Sequence, residues 1–168
     1  MDISVRTLID QYAAYTHWAN ARLLERVMRE DASVLDVPVK NSFPSVRATF
    51  MHIRNAEAVW RSRLINEAPQ WPAEPNEEIS TFLNHTMALR EEVRRMNDEA
   101  LHTAVTYLDL KGNAWTQPRW EMLMHCFNHS TYHRGQVITM LRQLGLGDMP
   151  TLDMVVFQRL AAEDRAKW

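Results

Sequence analysis

The chain holds a single cysteine, Cys126, so no intrachain disulfide can staple its fold. Only four glycines punctuate it, while Leu, Met, Ala, Glu and Arg are plentiful, a balance that argues against a sheet-rich protein and for helices. No segment reaches the ~20 uncharged apolar residues needed to cross a bilayer, because Arg, Asp, Glu or His interrupts every candidate. The opening residues MDISVRTLIDQ have neither the basic flank nor the apolar run of a secretory signal, and with the lone cysteine they lead us to expect a cytoplasmic protein with no membrane partner. Positive charge is not in excess either: 19 basic side chains stand against 21 acidic ones. Nothing in that balance would neutralise a phosphate backbone, so nucleic acid is not the expected partner. The run Arg90, Arg94, Arg95 is offset by Glu91 and Glu92 and reads as a solvated helix face.

What is present is helical periodicity. With 168 residues, 46% of them hydrophobic, the chain can bury a core, and one domain over residues 1–168 is expected. Val5, Leu8, Ile9, Tyr12, Tyr15, Ala19, Leu23 and Val27 recur at helical spacing and predict a first helix over about residues 3–30. The stretch DVPVKNSFP breaks it. Ser45 has N-cap chemistry for a second helix with a stripe of Val46, Phe50, Ile53, Trp60 and Leu64, ending before the proline-rich APQWPAEP. Asn76, followed by Glu77 and Glu78, predicts the start of a third, carrying Ile79, Phe82, Leu83, Leu89, Val93 and Met96 and fading near residue 101.

The segment TAVTYLDLKGNAW is poor in strong helix formers and has Gly-Asn at a turn, which predicts a long connection containing a small hairpin. A fourth helix follows Thr116 and Pro118 and stops at Leu-Gly-Leu-Gly, residues 144–147; the tail TLDMVVFQRLAAEDRAKW predicts a short closing helix. The expected fold is all-α, a four-helix bundle with a hairpin-containing connection before helix four and a short C-terminal helix.

Helix four carries HCFNHSTYHRGQ, with three of the chain's seven histidines at four-residue steps. Residues four apart on a helix are rotated by roughly 40° and raised by about 6 Å, so His129 and His133 can share an ion. Residues eight apart are ~12 Å apart along the axis, so His125 and His133 cannot both sit ~2.1 Å from one metal. The histidine row borders buried surface, where neutral imidazoles need hydrogen-bond partners or a ligand, and a divalent ion meets that need. A third ligand would come from His17, His52, His85 or His102. His17 projects away from the apolar stripe of its helix, while His52 and His85 both lie on the shoulder of theirs, and projection does not choose between them. The only Glu-x-x-His spacing, Glu99 to His102, lacks the companion motif of carboxylate-bridged metal bundles, and no His-Glu-x-x-His is present.

Together, FNHSTYHRGQVITMLRQLG, HIRNAEAVW and YTHWANARLLERV resemble the DinB/YfiT-like family of metalloenzymes over nearly the whole chain, NHSTYHRGQ being the most specific element. The family name refers to DNA-damage-inducible expression, a stress response, and not to a DNA polymerase. The resemblance implies a bundle in which three histidines bind one divalent ion, and matched by motif these are His52, His129 and His133. It also implies that His125 is not a ligand but a supporting residue. Zinc or nickel is the expected metal. Some members are transferases or isomerases that use a low-molecular-weight thiol. The expected function is therefore metal-dependent activation of such a thiol, or of water, for transfer to a small electrophilic substrate, in the manner of a thiol S-transferase. The alternative is a metal-stabilised helical stress or binding protein without turnover. No catalytic or cofactor-binding residue beyond the ligands is assigned.

Other residues have plainer expectations. Cys126 reads as a small core residue, Arg134 as one side of a structural salt bridge, and Gln136 as a hydrogen-bonding neighbour of the site. Gly135, costly within a helix, predicts close approach of a neighbouring helix. Asn128 and Glu57 are candidate supports for the ligands, Tyr132 lies off their face, and Trp18 and Trp60 read as packing anchors. Trp18, outside the main stripe of helix one, also points to a homodimer.

Overall fold

In the computed structural model, which describes residues 4–165, four long helices pack as a bundle. They are α1 (Val5–Val27), α2 (Val46–Leu64), α3 (Phe82–Arg95) and, after a five-residue α4 (Asp98–His102) and a hairpin of β1 (Ala104–Leu108) and β2 (Ala114–Pro118), α5 (Arg119–Gln143). A closing α6 spans Met154–Arg165. No helix among the described residues is long and apolar enough to cross a membrane.

Local chemistry sets the helix ends. The Ser4 and Ser45 hydroxyls accept from the backbone N–H groups of Thr7 and Ala48 at 3.2 and 3.1 Å, capping α1 and α2. At the end of α5, Gly145 takes a φ of 77°, which lets its N–H reach Arg142 O and that of Leu146 reach Leu141 O, both at 3.0 Å.

Around the bundle, α1 packs against α3 and α5, and α2 against the same two, so α1 and α2 face each other across the diagonal. Two apolar clusters fill the ends. One joins the end of α1 (Leu23, Val27) to the starts of α2 (Phe50, Ile53) and α3 (Phe82) and the end of α5 (Val137, Leu141). The other joins the start of α1 (Ile9, Ala13) to the ends of α2 (Leu64) and α3 (Leu89, Val93) and the start of α5 (Met122, Phe127). It follows that α2 and α3 run parallel, as do α1 and α5. Parallel neighbours cannot be joined by a tight turn, so residues 65–81 travel back along the bundle. Buried Arg54 holds that return segment, donating to Asn76 O at 3.0 Å and Thr81 Oγ1 at 2.8 Å, while Asn55 Oδ1 accepts from Ala73 N at 3.1 Å.

Between the apolar clusters lies a buried polar layer to which every long helix contributes: Asn20, Glu57, Thr86, and Ser130 with Arg134. The Glu57 carboxylate accepts from Asn20 Nδ2 at 3.0 Å, Ser130 Oγ at 2.8 Å and Thr86 Oγ1 at 2.5 Å. Arg134 donates to Asn20 Oδ1 at 2.8 Å, so its expected salt bridge is replaced by an amide that links it to Glu57.

The hairpin forms where expected, with Thr106 opposite Thr116. Helix three differs from its expected course. The Asn76 side chain accepts from Glu78 N at 3.2 Å, which makes a turn, and α3 starts only at Phe82. It stops at Arg95 because Met96 turns extended and enters the core, and Asn97 caps a separate α4 through Ala100 N at 2.8 Å. Gly135 is also corrected: it is exposed, and a Cβ there would meet nothing within 4 Å. Trp18 packs on Phe157 of α6, ring centroids 5.7 Å apart, so much of its off-stripe face is covered within the chain.

Candidate metal centre

His52 lies two turns into α2, and His129 and His133 sit one turn apart in the middle of α5, the helix packed beside it. Because α2 and α5 lie side by side, the three rings meet. His129 Nε2 is 2.9 Å from His52 Nε2 and 3.1 Å from His133 Nε2, and the ligand atoms of all three lie within 4.8 Å of one another. No carboxylate joins that group among the described residues. Two nitrogens bound ~2.1 Å from one ion are about 3.0 Å apart when they subtend a right angle and about 3.4 Å apart at the tetrahedral angle. The two separations made by His129 are those that nitrogens sharing one ion at a right angle would have.

The proton of His133 can be placed. His133 Nδ1–H donates to Gln136 Oε1 at 2.8 Å, and the Gln136 amide nitrogen donates in turn to Ser42 Oγ at 2.7 Å. That chain fixes the tautomer and turns the lone pair of His133 Nε2 toward its neighbours. His129 Nδ1 is buried without a partner. With the His133 lone pair turned inward, a proton on His52 or on His129 can make at most one of the two close contacts a hydrogen bond, and the other sets two lone pairs face to face. A cation bound by all three nitrogens removes the conflict, so this donor set fits a metal.

The rings are ready for one at neutral pH. Burial, then repulsion from the neighbouring imidazoles, lowers His52 to about 4 and His129 to about 3. Burial also lowers His133, opposed by its bond to Gln136. Two loop aromatics wall the cluster: Phe43 stacks on His52 at 4.2 Å and Trp71 meets it edge-on at 5.9 Å. Sequence reasoning missed both, since neither lies in a periodic segment; the one signal was an aromatic in each of two proline-containing linkers.

The other histidines stay outside. The His125 ring is 6.0 Å from that of His129, centroid to centroid, and leans on Trp60 at 4.8 Å. His85, the rival of His52, pairs with Glu74 at 2.7 Å. His17 lies by Arg90, and His102 is exposed on α4. Glu57 bonds the polar layer and no ligand ring, and Asn128 is exposed. Cys126 is fully buried and its thiol is pushed up by burial, in keeping with a core role. Tyr132 is exposed and touches His133 edge-on at 5.0 Å.

The sequence matches the DinB family model over residues 3–166. The chain belongs to the DinB family. Among its DinB relatives, Protein DinB of Bacillus subtilis strain 168 is 24% identical over 149 residues, covering 82% of this chain and 86% of that protein. Two solved structures share the fold. A DinB-like protein from Bacillus cereus ATCC 10987 superposes with a TM-score of 0.60 at 20% identity, over 80% of this chain and 91% of that one. YfiT from Bacillus subtilis gives 0.61 at 16% identity, over 87% and 92%, and is described as a probable metal-dependent hydrolase with an unusual four-helix bundle topology. The parallel packing of α2 with α3 in this chain departs from an up-and-down bundle.

Proposed function

We propose that this DinB-family chain holds one divalent ion, zinc or nickel, on the Nε2 atoms of His52, His129 and His133, and activates a low-molecular-weight thiol or water for attack on a small electrophile. The observation that carries the reading is the convergence of three imidazole nitrogens whose protons can satisfy at most one of their two close contacts. The ion would supply Lewis acidity, lowering the pKa of a coordinated water or thiol toward neutrality. With three neutral ligands and no acid in the cluster, the positive charge is left for an anionic nucleophile. Gln136 and Ser42 hold His133 in the tautomer that presents Nε2. Phe43 and Trp71 cover the His52 side and offer a substrate an apolar wall that keeps bulk water away. The description of YfiT as a hydrolase supports water as nucleophile, and the wider family resemblance supports a thiol.

Protein purified without a polyhistidine tag is expected to carry near-stoichiometric metal by plasma emission, and His133→Ala to lose it. Paired screens, one for ester and amide hydrolysis and one for consumption of cysteine or glutathione by 1-chloro-2,4-dinitrobenzene, separate the two nucleophiles. Bound metal with neither activity would replace this reading by a metal-stabilised binding protein. Absence of metal from wild type would end both.

A further inference from the structure

Beside the histidine cluster, a cleft of about 600 Å³ opens between the hairpin and the α2–α5 pair, lined by Trp60, Arg63, Tyr107, Lys111, Trp115 and His125. Arg63 is the unusual member. Only 8% exposed, it is clasped between the Trp60 and Tyr107 rings, 4.6 and 4.8 Å from their centroids. One of its nitrogens donates to Leu108 O at 2.9 Å, and its buried Nε has no acceptor. Arg61, one half-turn earlier, pairs with Glu92 at 2.7 Å, whereas Arg63 has no salt-bridge partner among the described residues.

The nearby acid, Asp109, is already engaged. Its carboxylate accepts from Lys111 N, Asn113 N, Asn113 Nδ2 and Trp115 Nε1, at 2.8 to 3.0 Å. The last of these bonds pins a Trp115 ring that is 54% exposed, which makes a fixed, uncovered stacking face. A desolvated guanidinium without a salt-bridge partner, with Asp109 as its nearby but already hydrogen-bonded acid, together with an exposed lysine and a pinned aromatic platform, forms a receptor for an anion with a flat apolar body. His125 lines the cleft on the side of the centre, its ring centroid 6.0 Å from that of His129.

We infer that the hairpin cleft binds an organic carboxylate, its anionic end on Arg63, its apolar body against Trp115, and its far end directed past His125 toward the histidine cluster. This deepens the proposed function by naming a substrate class, and it rests on that function for its catalytic meaning, though binding in the cleft does not require a metal. His125 is then a wall shared by cleft and centre.

The test is ¹H–¹⁵N correlation NMR of the whole chain, chelator-treated and zinc-loaded, titrated with phenylacetate and with its neutral isostere phenylacetamide. The Trp115 indole N–H should shift with phenylacetate in both metal states, at an affinity at least tenfold above that for the amide. Arg63→Gln should abolish the preference for the anion, and Trp115→Ala should weaken both probes together. If Arg63→Gln does not fold, the wild-type comparison and Trp115→Ala still decide. Equal binding of the two probes overturns the proposal. So does a preference that survives Arg63→Gln, or that needs zinc and disappears in His129→Ala, where the carboxylate would be a metal ligand. An Arg63-dependent preference in a protein that takes up no metal would uphold the cleft while removing the metal-centred function.

Discussion

Gln136 decides which nitrogen of His133 faces the other rings, and Ser42 decides which end of the Gln136 amide faces His133. Replacing it with leucine keeps the volume and removes the acceptor, so Gln136→Leu is expected to weaken zinc binding about 10- to 100-fold in a chelator competition while the far-UV spectrum stays unchanged. The same rings set a pH dependence. In the unfolded chain they take up protons near 6.5, but folded His52 and His129 resist until about 4 and about 3. Between those limits the unfolded state binds more protons, so this contribution to the stability of metal-free protein is whole above pH 6.5 and is lost as pH falls through the window. Urea midpoints at pH 7.5, 5.5 and 4.5 should therefore decline, with a shallower slope in His129→Gln; an unchanged slope would contradict the burial of that ring. The four-residue spacing of His129 and His133 was legible in the sequence. The choice of His52 over His85 came from the family resemblance and not from spacing, because both sit on helix shoulders and only Glu74, brought in by the return segment, occupies His85.

Along α5, Gly135 follows His133 and the buried Arg134, yet a Cβ there would touch nothing. Gly135→Ala is expected to stabilise the protein by roughly 0.5–1 kcal/mol, since alanine loses less backbone freedom in a helix interior. For a domain of this size that is a rise in melting temperature of about 1–4 °C, read by calorimetry with zinc binding unchanged. A fall would mean that a neighbour approaches there after all. Helix positions were legible for α1, α2 and α5 because each pairs a long periodic stripe with a capping serine or a terminal glycine. The start of α3 was not, because Asn76 has the same chemistry at a helix cap and at the turn it makes, and the carbonyl that decides the matter belongs to a contact with distant Arg54.

Across the whole molecule, the candidate centre spans the α2–α5 seam, while the Glu57 layer ties all four long helices one level away. An ion bound there would link the two helices only in the folded state. Free zinc at 100 times its dissociation constant should add about 2.7 kcal/mol to stability, and a chelator should remove it. His133→Ala should show neither effect in thermal melts, and a wild-type melt insensitive to both zinc and chelator would count against the centre. The pairing of parallel helices also explains where the site walls come from. Since residues 65–81 must return along the bundle, Trp71 is carried past His52, and the diagonal link from α1 to α2 brings Phe43 onto the same ring.

The sequence by itself determined α1, α2 and α5, the hairpin turn and the paired histidines of α5, because periodicity, caps and four-residue spacing are local properties of the chain. Tertiary structure decided what spacing left open: that His52 and not His85 meets that pair, that Arg63 stands without a salt-bridge partner, and that Trp71 and Phe43 of the linkers wall the cluster while Trp18 of α1 packs on α6. Those outcomes depend on which helices are neighbours and in which direction they run. That order is set by how distant apolar faces bury one another, which no local spacing records.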